Sequence, residues 1–592
     1  MERKKIREDL VKQLSLDTVL RETETISEDF AWRLSGTKIA EDAAKYYVDY
    51  MRKNGVDAKL LTTKGYLNVP EPADLKVVSP VAEEIRCAAC AQCGSTPPEG
   101  ITAEVVHVGP GGVNDYIGKD VKGKIVLAEL SYAPPRPEKT RIAIANGAAG
   151  MLLMNWGSDE SEYLGYGTVK SPWGNPTPET ISLMDNTPPI VMITRKDGVH
   201  LRKIIESGEK LTVTLRTHAE REWMDIFLPY AEIKAPNGDG DFVLMTGHMD
   251  AWSYGASDNA SANALCMEMA KVLQANRHLL KRDVRFAFWQ GHENGIMEGS
   301  TWFIEKFWDD LDEHCVAVFN FDSYGLWKAS VWHNEVATEL KPWIVGLDDV
   351  IIDEGVGRDY VRTSRIGDMS FFGIGIPASF TWMFHTKEEI AGWCNATLGE
   401  YYHSDADNMD FMDKDVLAKC MKYGPSYVFD LALTPVLPMD FVPVADEILN
   451  RINDLTDIIK GRPDAIDLLE MDKVKETALE FRDKAAQLET LRQKAVENHE
   501  AYDVAALNHA LKQISRAILP MTCTVTGRYE QDTYGLSALH YVIPCSESIR
   551  TLVSYPENSH DYYVWSTRAK RDRNKITDAV RHATTIINQT LK

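Results

Sequence analysis

The chain has 592 residues, too many for one hydrophobic core, so we expect two or three domains. Its apolar fraction of 44% and charged fraction of 26% are ordinary for a globular protein, and 65 basic against 88 acidic residues give a net charge of −23. That charge repels phosphate backbones and anionic membranes, which argues against nucleic acid as a partner.

The N-terminal sequence MERKKIREDLVKQL is charged and helical, and no apolar core follows its basic residues, so it does not resemble a signal peptide. No run of about 18 apolar residues predicts a membrane span. The nine cysteines are odd in number and scattered, which favours reduced thiols. We therefore predict a cytoplasmic protein without a membrane partner.

Residues 1–75 are predicted to be helical. The positions at helical spacing in GTKIAEDAAKYYVDYMRKNG are Ile39, Ala43, Tyr46 or Tyr47, and Met51. From 76 to 231, short strands between Gly and Pro turns predict a separate β-rich domain. There, KGKIVLAEL is typical of a strand, and RIAIANGAAGMLLMNW of a short helix, a glycine turn and a buried strand.

From 232 to 438 apolar runs alternate with helices. DFVLMTGHMD, VRFAFWQGHE and CVAVFNFDSYG are short and apolar, and SANALCMEMAKVLQAN has helical spacing. Strands buried on both faces predict a mostly parallel α/β sheet, which binds ligands at the carboxyl ends of its strands. From 439 to 592 the chain is predicted to be a helical bundle. The apolar positions that indicate one of its helices are Val474, Ala478, Phe481, Ala485, Leu488 and Ala495.

Polar residues cluster where the predicted strands and nearby loops end. They are His248 and Asp250 in TGHMDAW, Asp258 in GASDNASA, His292 and Glu293 in WQGHENG, Asp322 in NFDSYG, and His403 in EYYHSDADNMD. Each alone has a structural alternative: Asp258 as a helix N-cap, His248 as a core histidine, Asp322 in a turn. Such residues at successive strand ends favour a shared site instead.

A metal site explains these residues together. Zinc binds imidazole nitrogen and carboxylate oxygen, and in a pair of ions one carboxylate can bridge both. Zinc acidifies a bound water, which attacks a carbonyl that the metal polarises. The pattern therefore predicts a metal-dependent hydrolase, with other divalent ions as alternatives to zinc.

In this order, GHMDAWSYGASDNASANA, FWQGHENGIMEGSTW, FNFDSYG and YYHSDADNMD resemble the di-zinc exopeptidase family of glutamate carboxypeptidase and the bacterial leucine-type aminopeptidases. VVHVGPGGVNDYIGKDVKGKIVLAELSY and NGAAGMLL resemble that family's protease-associated insert. The C-terminal part, including LTPVLPMD, is similar to the dimerisation domain of the glutamate carboxypeptidase branch. The transferrin receptor shares that architecture without hydrolase activity.

The resemblance implies an α/β zinc-exopeptidase fold, in which helices flank a mostly parallel mixed sheet. Residues 1–75 would be the N-terminal helical part of the catalytic domain, 76–231 the insert, 232–438 the catalytic domain, and 439–592 a helical domain that forms a homodimer. It also implies two Zn²⁺ ions. The implied ligands are His248 and Asp322 for one ion, Glu293 and His403 for the other, and Asp258 as the bridge, with Asp250 orienting His248.

The sequence departs from the family at its pair of adjacent glutamates, a general base followed by a ligand. Counted from FW, His292 occupies the base position and Glu293 the ligand position. Counted back from GS, the loop is one residue longer, Glu293 becomes the base, and Asn294 replaces the ligand, which predicts one ion. We prefer the first alignment, because the strand end fixes the site and a loop tolerates an insertion. Histidine can accept a proton near neutral pH.

The segment GDMSFFGIGIPASF resembles the family's loop at the substrate pocket. Asp368, Phe371 and Phe372 are predicted to contact substrate, with buried packing as the alternative for the phenylalanines. Arg362 and Arg365 precede this loop and are predicted to lie on the surface, with binding of a substrate carboxylate as the alternative.

Two further segments have residue types that fit a lid and a thiol cluster. The loop from Phe384 to Tyr402, with its paired tyrosines, is a candidate lid over the site. Cys87, Cys90 and Cys93 are interpreted as free thiols, because a closed zinc site needs four ligands and no fourth follows nearby.

The sequence thus predicts a metal-dependent exopeptidase, or a related amide hydrolase, that acts on small peptides. Aminopeptidase and carboxypeptidase action both remain open. The alternatives are a weakened or non-enzymatic scaffold on the same fold, and an amidohydrolase of a non-peptide small molecule, the latter indicated only by His292.

Overall fold

The computed structural model describes residues 2–363, 368, 370–536 and 541–592. The helices are α1 (Glu2–Val11), α2 (Leu16–Asp29), α3 (Lys38–Lys53), α4 (Arg136–Ala145), α5 (Arg195–Glu206), α6 (Ser261–Ala275), α7 (Glu298–Lys306), α8 (Trp308–His314), α9 (Lys341–Ile351), α10 (Lys387–Gly392), α11 (Lys414–Leu433), α12 (Val442–Ile459), α13 (Pro463–Leu469), α14 (Met471–Glu497), α15 (Val504–Cys523), α16 (Glu547–Val553) and α17 (His560–Thr590). The strands are β1 (Asp57–Leu67), β2 (Asp74–Ser79), β3 (Glu83–Ile85), β4 (Cys87–Ala89), β5 (Ile101–Gly109), β6 (Ile125–Glu129), β7 (Gly150–Met154), β8 (Ile190–Ile193), β9 (Thr212–Arg216), β10 (Glu222–Ile233), β11 (Phe242–His248), β12 (Asp283–Trp289), β13 (Cys315–Phe321), β14 (Val331–Val336), β15 (Gly357–Arg362) and β16 (Ala378–Phe384).

The first sheet has eight strands in the order β1-β10-β12-β11-β13-β16-β14-β15. Its centre is parallel, because β11 pairs in parallel with both β12 and β13, and β13 with β16. Every residue of β11 and β13 is buried, which explains why these runs are apolar throughout. The predicted α/β sheet is confirmed.

Helices cover both faces of this sheet. On one face α6 packs against α2 and α3, and their residues share a core with β11 and β12. On the other face, Trp289, Phe303 and Phe380 belong to a second core cluster. The crossover helices between β11, β12 and β13 bring the carboxyl ends of these strands to one edge.

The second sheet has eight strands in the order β3-β2-β9-β5-β6-β7-β8-β4, and it is built from residues 74–216. The strands on either side of it in the sequence, β1 and β10, pair antiparallel, with Leu67 opposite Glu222. The chain therefore leaves and re-enters the first sheet at neighbouring positions. The β-rich region is an insertion into the larger α/β unit.

Two expectations for the N-terminal region were wrong. Residues 57–67 form β1 and not a helix, and they pair with β10 over their full length. This long-range pairing decides the structure of a segment whose own spacing is weak. In α3, Ile39 is 36% exposed and its neighbour Ala40 is buried instead, whereas the predicted Ala43, Tyr47 and Met51 do face the core.

The C-terminal region is helical, as predicted. α12 packs against α14, and α14 and α15 both pack against α17. All six apolar positions predicted for the face of α14 are buried. Among the described helices, none combines the length and the apolar character needed to cross a bilayer.

Candidate metal centre

The predicted site residues lie together at one edge of the first sheet. His248 is the last residue of β11, and Asp322 directly follows β13. His292 and Glu293 lie shortly after β12, in the loop of residues 290–297, here called the β12–α7 loop. Because these three strands are parallel, their carboxyl ends meet at this edge.

The Asp258 carboxylate lies between two imidazole rings. Nε2 of His248 is 2.9 Å from Oδ1 of Asp258 and 3.5 Å from Oδ1 of Asp322. Nε2 of His403 is 3.0 Å from Oδ2 of Asp258 and 3.4 Å from Oε1 of Glu293. The five residues therefore form two half-sites that share Asp258.

Apart from these close histidine–carboxylate contacts, four buried atoms at the centre of this cluster have no hydrogen-bond partner among the described residues: Nε2 of His248, Nε2 of His403 and both carboxylate oxygens of Asp258. Buried polar atoms are normally paired, so unpaired ones that converge call for a ligand. Imidazole nitrogens and carboxylate oxygens at this spacing fit divalent cations such as zinc.

The charges in the cluster depend on one another. Burial lowers the pKa of His403, but the Glu293 and Asp258 carboxylates outweigh burial and raise that pKa to about 9. Burial also lowers the pKa of His248, but the Asp322 and Asp258 carboxylates outweigh burial and raise that pKa well above its ordinary value. The carboxylates therefore keep both imidazole rings protonated until a cation displaces the protons.

Asp258 does not cap a helix. It lies in an irregular turn at residues 256–260, and the N-cap of α6 is Ala260, which makes no side-chain capping bond. The turn is held by Asp407, whose carboxylate accepts hydrogen bonds from the Ser257 and Asp258 amides, both at 3.0 Å. Burial raises the pKa of Asp407 to about 6. Asp258 is free to face the two histidines.

Asp250 supports the site differently from the prediction. Nδ1 of His248 bonds the backbone carbonyl of Asp250 at 3.0 Å and lies 3.7 Å from its carboxylate. Oδ2 of Asp250 instead accepts the amides of His292 (3.0 Å) and Glu293 (2.9 Å) and the Ser35 hydroxyl (2.8 Å). The Asp250 backbone therefore orients His248, and its carboxylate fixes the β12–α7 loop.

His292 lies beside the cluster with a carboxylate behind it. Its ring stacks on that of His248, with centroids 4.0 Å apart and 12° between the planes. Nδ1 of His292 is 3.1 Å from Oδ2 of Asp368, and Oδ1 of Asp368 accepts the Ser300 hydroxyl at 2.7 Å. A ring nitrogen of His292 lies within 4.8 Å of ligand atoms of His248 and Asp322.

Asn294 points away from the cluster. Its side-chain amide donates to the carbonyls of Ser35 and Asn68, each at 3.0 Å. Glu293, by contrast, accepts a hydrogen bond from Nε1 of Trp252 at 2.9 Å and faces His403. The geometry matches the alignment counted from FW, in which Asn294 has no place among the ligands.

The three residues predicted to contact substrate are buried. Asp368 bonds His292 and is itself buried, and Phe371 and Phe372 are 0% and 3% exposed in the core, which matches the buried packing that was the alternative for the phenylalanines. Contact of these residues with a substrate stays a prediction. Arg362 pairs with Glu447 and donates to the Thr522 carbonyl, away from the cluster. Arg365 lies outside the described residues.

Aromatic residues of the insert and Tyr402 lie beside His403, and few local features of the sequence predict them. Tyr402 stacks on His403 at 4.2 Å and on Trp156 of the insert at 6.0 Å. Burial and the nearby carboxylates, Asp258 first, raise the pKa of Tyr402 well above its ordinary value, so its hydroxyl keeps its proton. The backbone of Tyr166 bonds His403 twice: its amide donates to the His403 carbonyl at 2.8 Å, and its carbonyl accepts a hydrogen bond from Nδ1 of His403 at 3.1 Å. The paired tyrosines were the only local signal.

The cysteines lie apart from this centre. All nine are free thiols, and Cys90 and Cys93 are buried. Burial raises the pKa of Cys93 to about 11, which disfavours the thiolate that binds metal. Within the described ranges, the groups of side chains close enough to share one ion are His248, His292 and Asp322, and His248, Asp258 and Glu293.

Two segments of the chain match known protein families. Residues 230–424 match Peptidase family M28, and residues 101–201 match the PA domain. Aminopeptidase YwaD of Bacillus subtilis is 26% identical over 414 residues, which cover 66% of this chain and 79% of that protein. Carboxypeptidase Q of Homo sapiens is 24% identical over 277 residues, which cover 44% of this chain and 56% of that protein. Probable leucine aminopeptidase 2 of Trichophyton verrucosum is 30% identical over 243 residues, which cover 40% of this chain and 44% of that protein.

Solved structures share the fold. A zinc aminopeptidase from Bacillus subtilis superposes with a TM-score of 0.55 at 21% identity, covering 72% of this chain and 98% of that chain. A peptidase M28 precursor from Shewanella amazonensis superposes with a TM-score of 0.59 at 18% identity, covering 73% of this chain and 97% of that chain. The family resemblance predicted from the four motifs is confirmed.

Proposed function

Because the chain carries the peptidase domain of family M28 and is a metallo-exopeptidase, we propose that it is an aminopeptidase that uses two zinc ions. His248 and Asp322 would hold one ion, Glu293 and His403 the other, and Asp258 would bridge them. The observation that carries this proposal is the buried Asp258 carboxylate, whose two oxygens each face one histidine, at 2.9 and 3.0 Å, and have no further hydrogen-bond partner among the described residues.

Zinc, when bound, would polarise the substrate carbonyl and lower the pKa of a water molecule. The protein must then accept a proton from that water and return it to the leaving amine. We assign both tasks to His292. Asp368 accepts a hydrogen bond from the Nδ1–H group of His292, which leaves Nε2 of the neutral His292 ring as the proton acceptor.

Tyr402 is the second group with a task in the reaction. Its hydroxyl stays protonated among carboxylates, so it can donate a hydrogen bond to negative charge that develops on a substrate carbonyl oxygen. The stacks with His403 and Trp156 hold the ring in place.

Aminopeptidase action is preferred over carboxypeptidase action because of the extent of the matches. The match to aminopeptidase YwaD covers 79% of that protein, against 56% for carboxypeptidase Q. A non-enzymatic scaffold is not favoured, because all five proposed ligand positions hold a histidine or a carboxylate, the residue types that can bind zinc.

We also propose a homodimer through residues 439–592, in keeping with the family resemblance. A cavity of about 700 Å³ lies between α15 and α17 on this region and offers surface for a second copy. The free thiols suit a reducing compartment, so a cytoplasmic location remains our proposal. Light scattering of the purified protein tests the dimer.

The function is tested with three matched dipeptides: one with a free amine, one with a blocked amine, and one with a blocked carboxylate. We expect hydrolysis of the first and third, none of the second, and loss of both activities with a chelator. Metal analysis should find about two zinc ions per chain. Hydrolysis of the amine-blocked peptide alone would contradict aminopeptidase action, and a metal-free, inactive protein would contradict the whole proposal.

A further inference from the structure

A wholly buried ion pair joins the insert to the start of α7, directly after the β12–α7 loop. Lys170, in the insert, binds Glu298, the first residue of α7, and both side chains are 0% exposed. Nζ of Lys170 also donates to the carbonyl of Gly174 at 2.5 Å. Burial of two charges is costly, and a buried pair adds little stability over apolar residues of similar size. The pair therefore calls for an explanation other than stability.

The β12–α7 loop folds around the side chain of Glu298. Its Oε2 accepts the Ile296 amide at 2.7 Å, and its own amide donates to the Gly291 carbonyl at 3.2 Å. A Cβ at Gly291 or Gly295 would collide with the Glu298 side chain. The loop that bears His292 and Glu293 is thus wrapped around one carboxylate.

Other parts of the insert hold the same loop. The Gly174 amide donates to the Ile296 carbonyl at 2.7 Å, and Nε2 of Gln92 donates to the Asn294 carbonyl at 3.1 Å. Trp173 and Met297 share a small core cluster. Lys170 is therefore the charged member of a group of insert residues that hold the β12–α7 loop and its neighbour Glu298.

We propose that Lys170 and Glu298 are positioning residues, through which the insert sets the places of His292 and Glu293. The inference rests on the proposed function of His292 and Glu293. It gives the insert a task inside the catalytic site.

The test replaces the whole pair by apolar residues, Lys170→Met/Glu298→Leu. Such a replacement leaves stability close to wild type, yet it removes the acceptor for the Ile296 amide. A displacement of about 1 Å at a catalytic group costs about 100-fold, so we expect kcat to fall about 100-fold, with KM within about threefold. Lys170→Met/Glu298→Gln returns an acceptor for the Ile296 amide and should recover about tenfold of that loss.

The matched control is another buried lysine pair, Lys512 with Asp241. Asp241 precedes β11, at the end of the strand opposite His248, so about 20 Å separates this pair from the site. Lys512→Met/Asp241→Leu should keep kcat within about twofold of wild type. Equal losses in the two apolar variants, or a wild-type kcat in Lys170→Met/Glu298→Leu, would overturn the proposal.

A spectroscopic readout separates this inference from the proposed function. The Trp252 indole N–H is bonded to Glu293, and its NMR signal is assigned with Trp252→Phe. That signal should shift in Lys170→Met/Glu298→Leu and stay in place in the control. An inactive wild type would refute the proposed function, while the indole signal would still decide whether Lys170 and Glu298 position the loop.

Discussion

His292 is bonded through Nδ1 to Asp368, whose second carboxylate oxygen accepts the Ser300 hydroxyl. We expect Asp368→Asn to change kcat in opposite directions in wild type and in His292→Glu. With His292 present, Asp368→Asn removes the carboxylate that fixes the ring, and kcat should fall about 10- to 100-fold. With His292→Glu, a like charge faces Asp368, and Asp368→Asn should raise kcat by relieving the repulsion.

Steady-state kinetics of the four proteins measure this reversal, with zinc content as the control for site integrity. His292→Ala should lose about 100-fold or more in kcat while it retains metal. If Asp368→Asn lowers kcat equally in both backgrounds, Asp368 acts on the fold and not on His292.

If Asp258 bridges two zinc ions, as proposed, the binding of both ions should depend on its carboxylate. Asp258→Asn should lose most of the zinc and nearly all activity, because each half-site depends on an oxygen of this residue. Chelation of wild type should lower the free energy of unfolding by about 4 kcal/mol relative to protein in free zinc at about 1,000 times Kd. Thermal unfolding with and without zinc measures the effect, and a variant that still binds two ions contradicts the bridge.

The strand ends explain why the ligand cluster could be predicted. His248 and Asp322 end buried, apolar runs, and parallel strands bring such ends together. No comparable rule places Asp368 behind His292, because Asp368 lies in a connection far along the chain whose path depends on the whole fold. The ligands follow from local pattern, and the groups that orient them follow from packing.

The insert illustrates the same limit on a larger scale. Its strands were visible as short runs between turns, but the bonds from Tyr166 to His403 and from Lys170 to Glu298 join residues more than 100 positions apart. β1 was missed for a related reason, because its partner β10 lies beyond the whole insert. Pairing across such distances is decided by the assembled structure and leaves little local trace.

Tyr402 predicts a loss confined to the chemical step. Tyr402→Phe keeps the ring that stacks on His403 and removes only the hydroxyl. Loss of one donor to the developing charge should lower kcat about 100-fold, with KM changed by less than about threefold and zinc content unchanged. Tyr401→Phe is the matched control, since the Tyr401 hydroxyl accepts the Trp327 amide instead. Similar losses of kcat in both variants would contradict the assignment.

Asp348 predicts a pH effect on stability that is separate from the metal centre. Its carboxylate is buried and accepts the hydroxyls of Tyr427 (2.5 Å) and Tyr360 (2.7 Å), and burial raises its pKa to about 6. An unfolded aspartate titrates near pH 4, so between pH 4 and 6 the folded protein holds a proton that the unfolded chain releases. Unfolding then releases protons, and stability falls as the pH rises through this window.

The shift of about two pKa units predicts that wild type loses about 3 kcal/mol relative to Asp348→Asn between pH 4 and pH 7, with no further change above pH 7. Urea unfolding of both proteins across this range measures the difference, with the exposed neighbour Asp349→Asn expected to stay within about 0.5 kcal/mol of wild type. A difference between wild type and Asp348→Asn that is the same at pH 4 and pH 7 would contradict a buried, protonated Asp348.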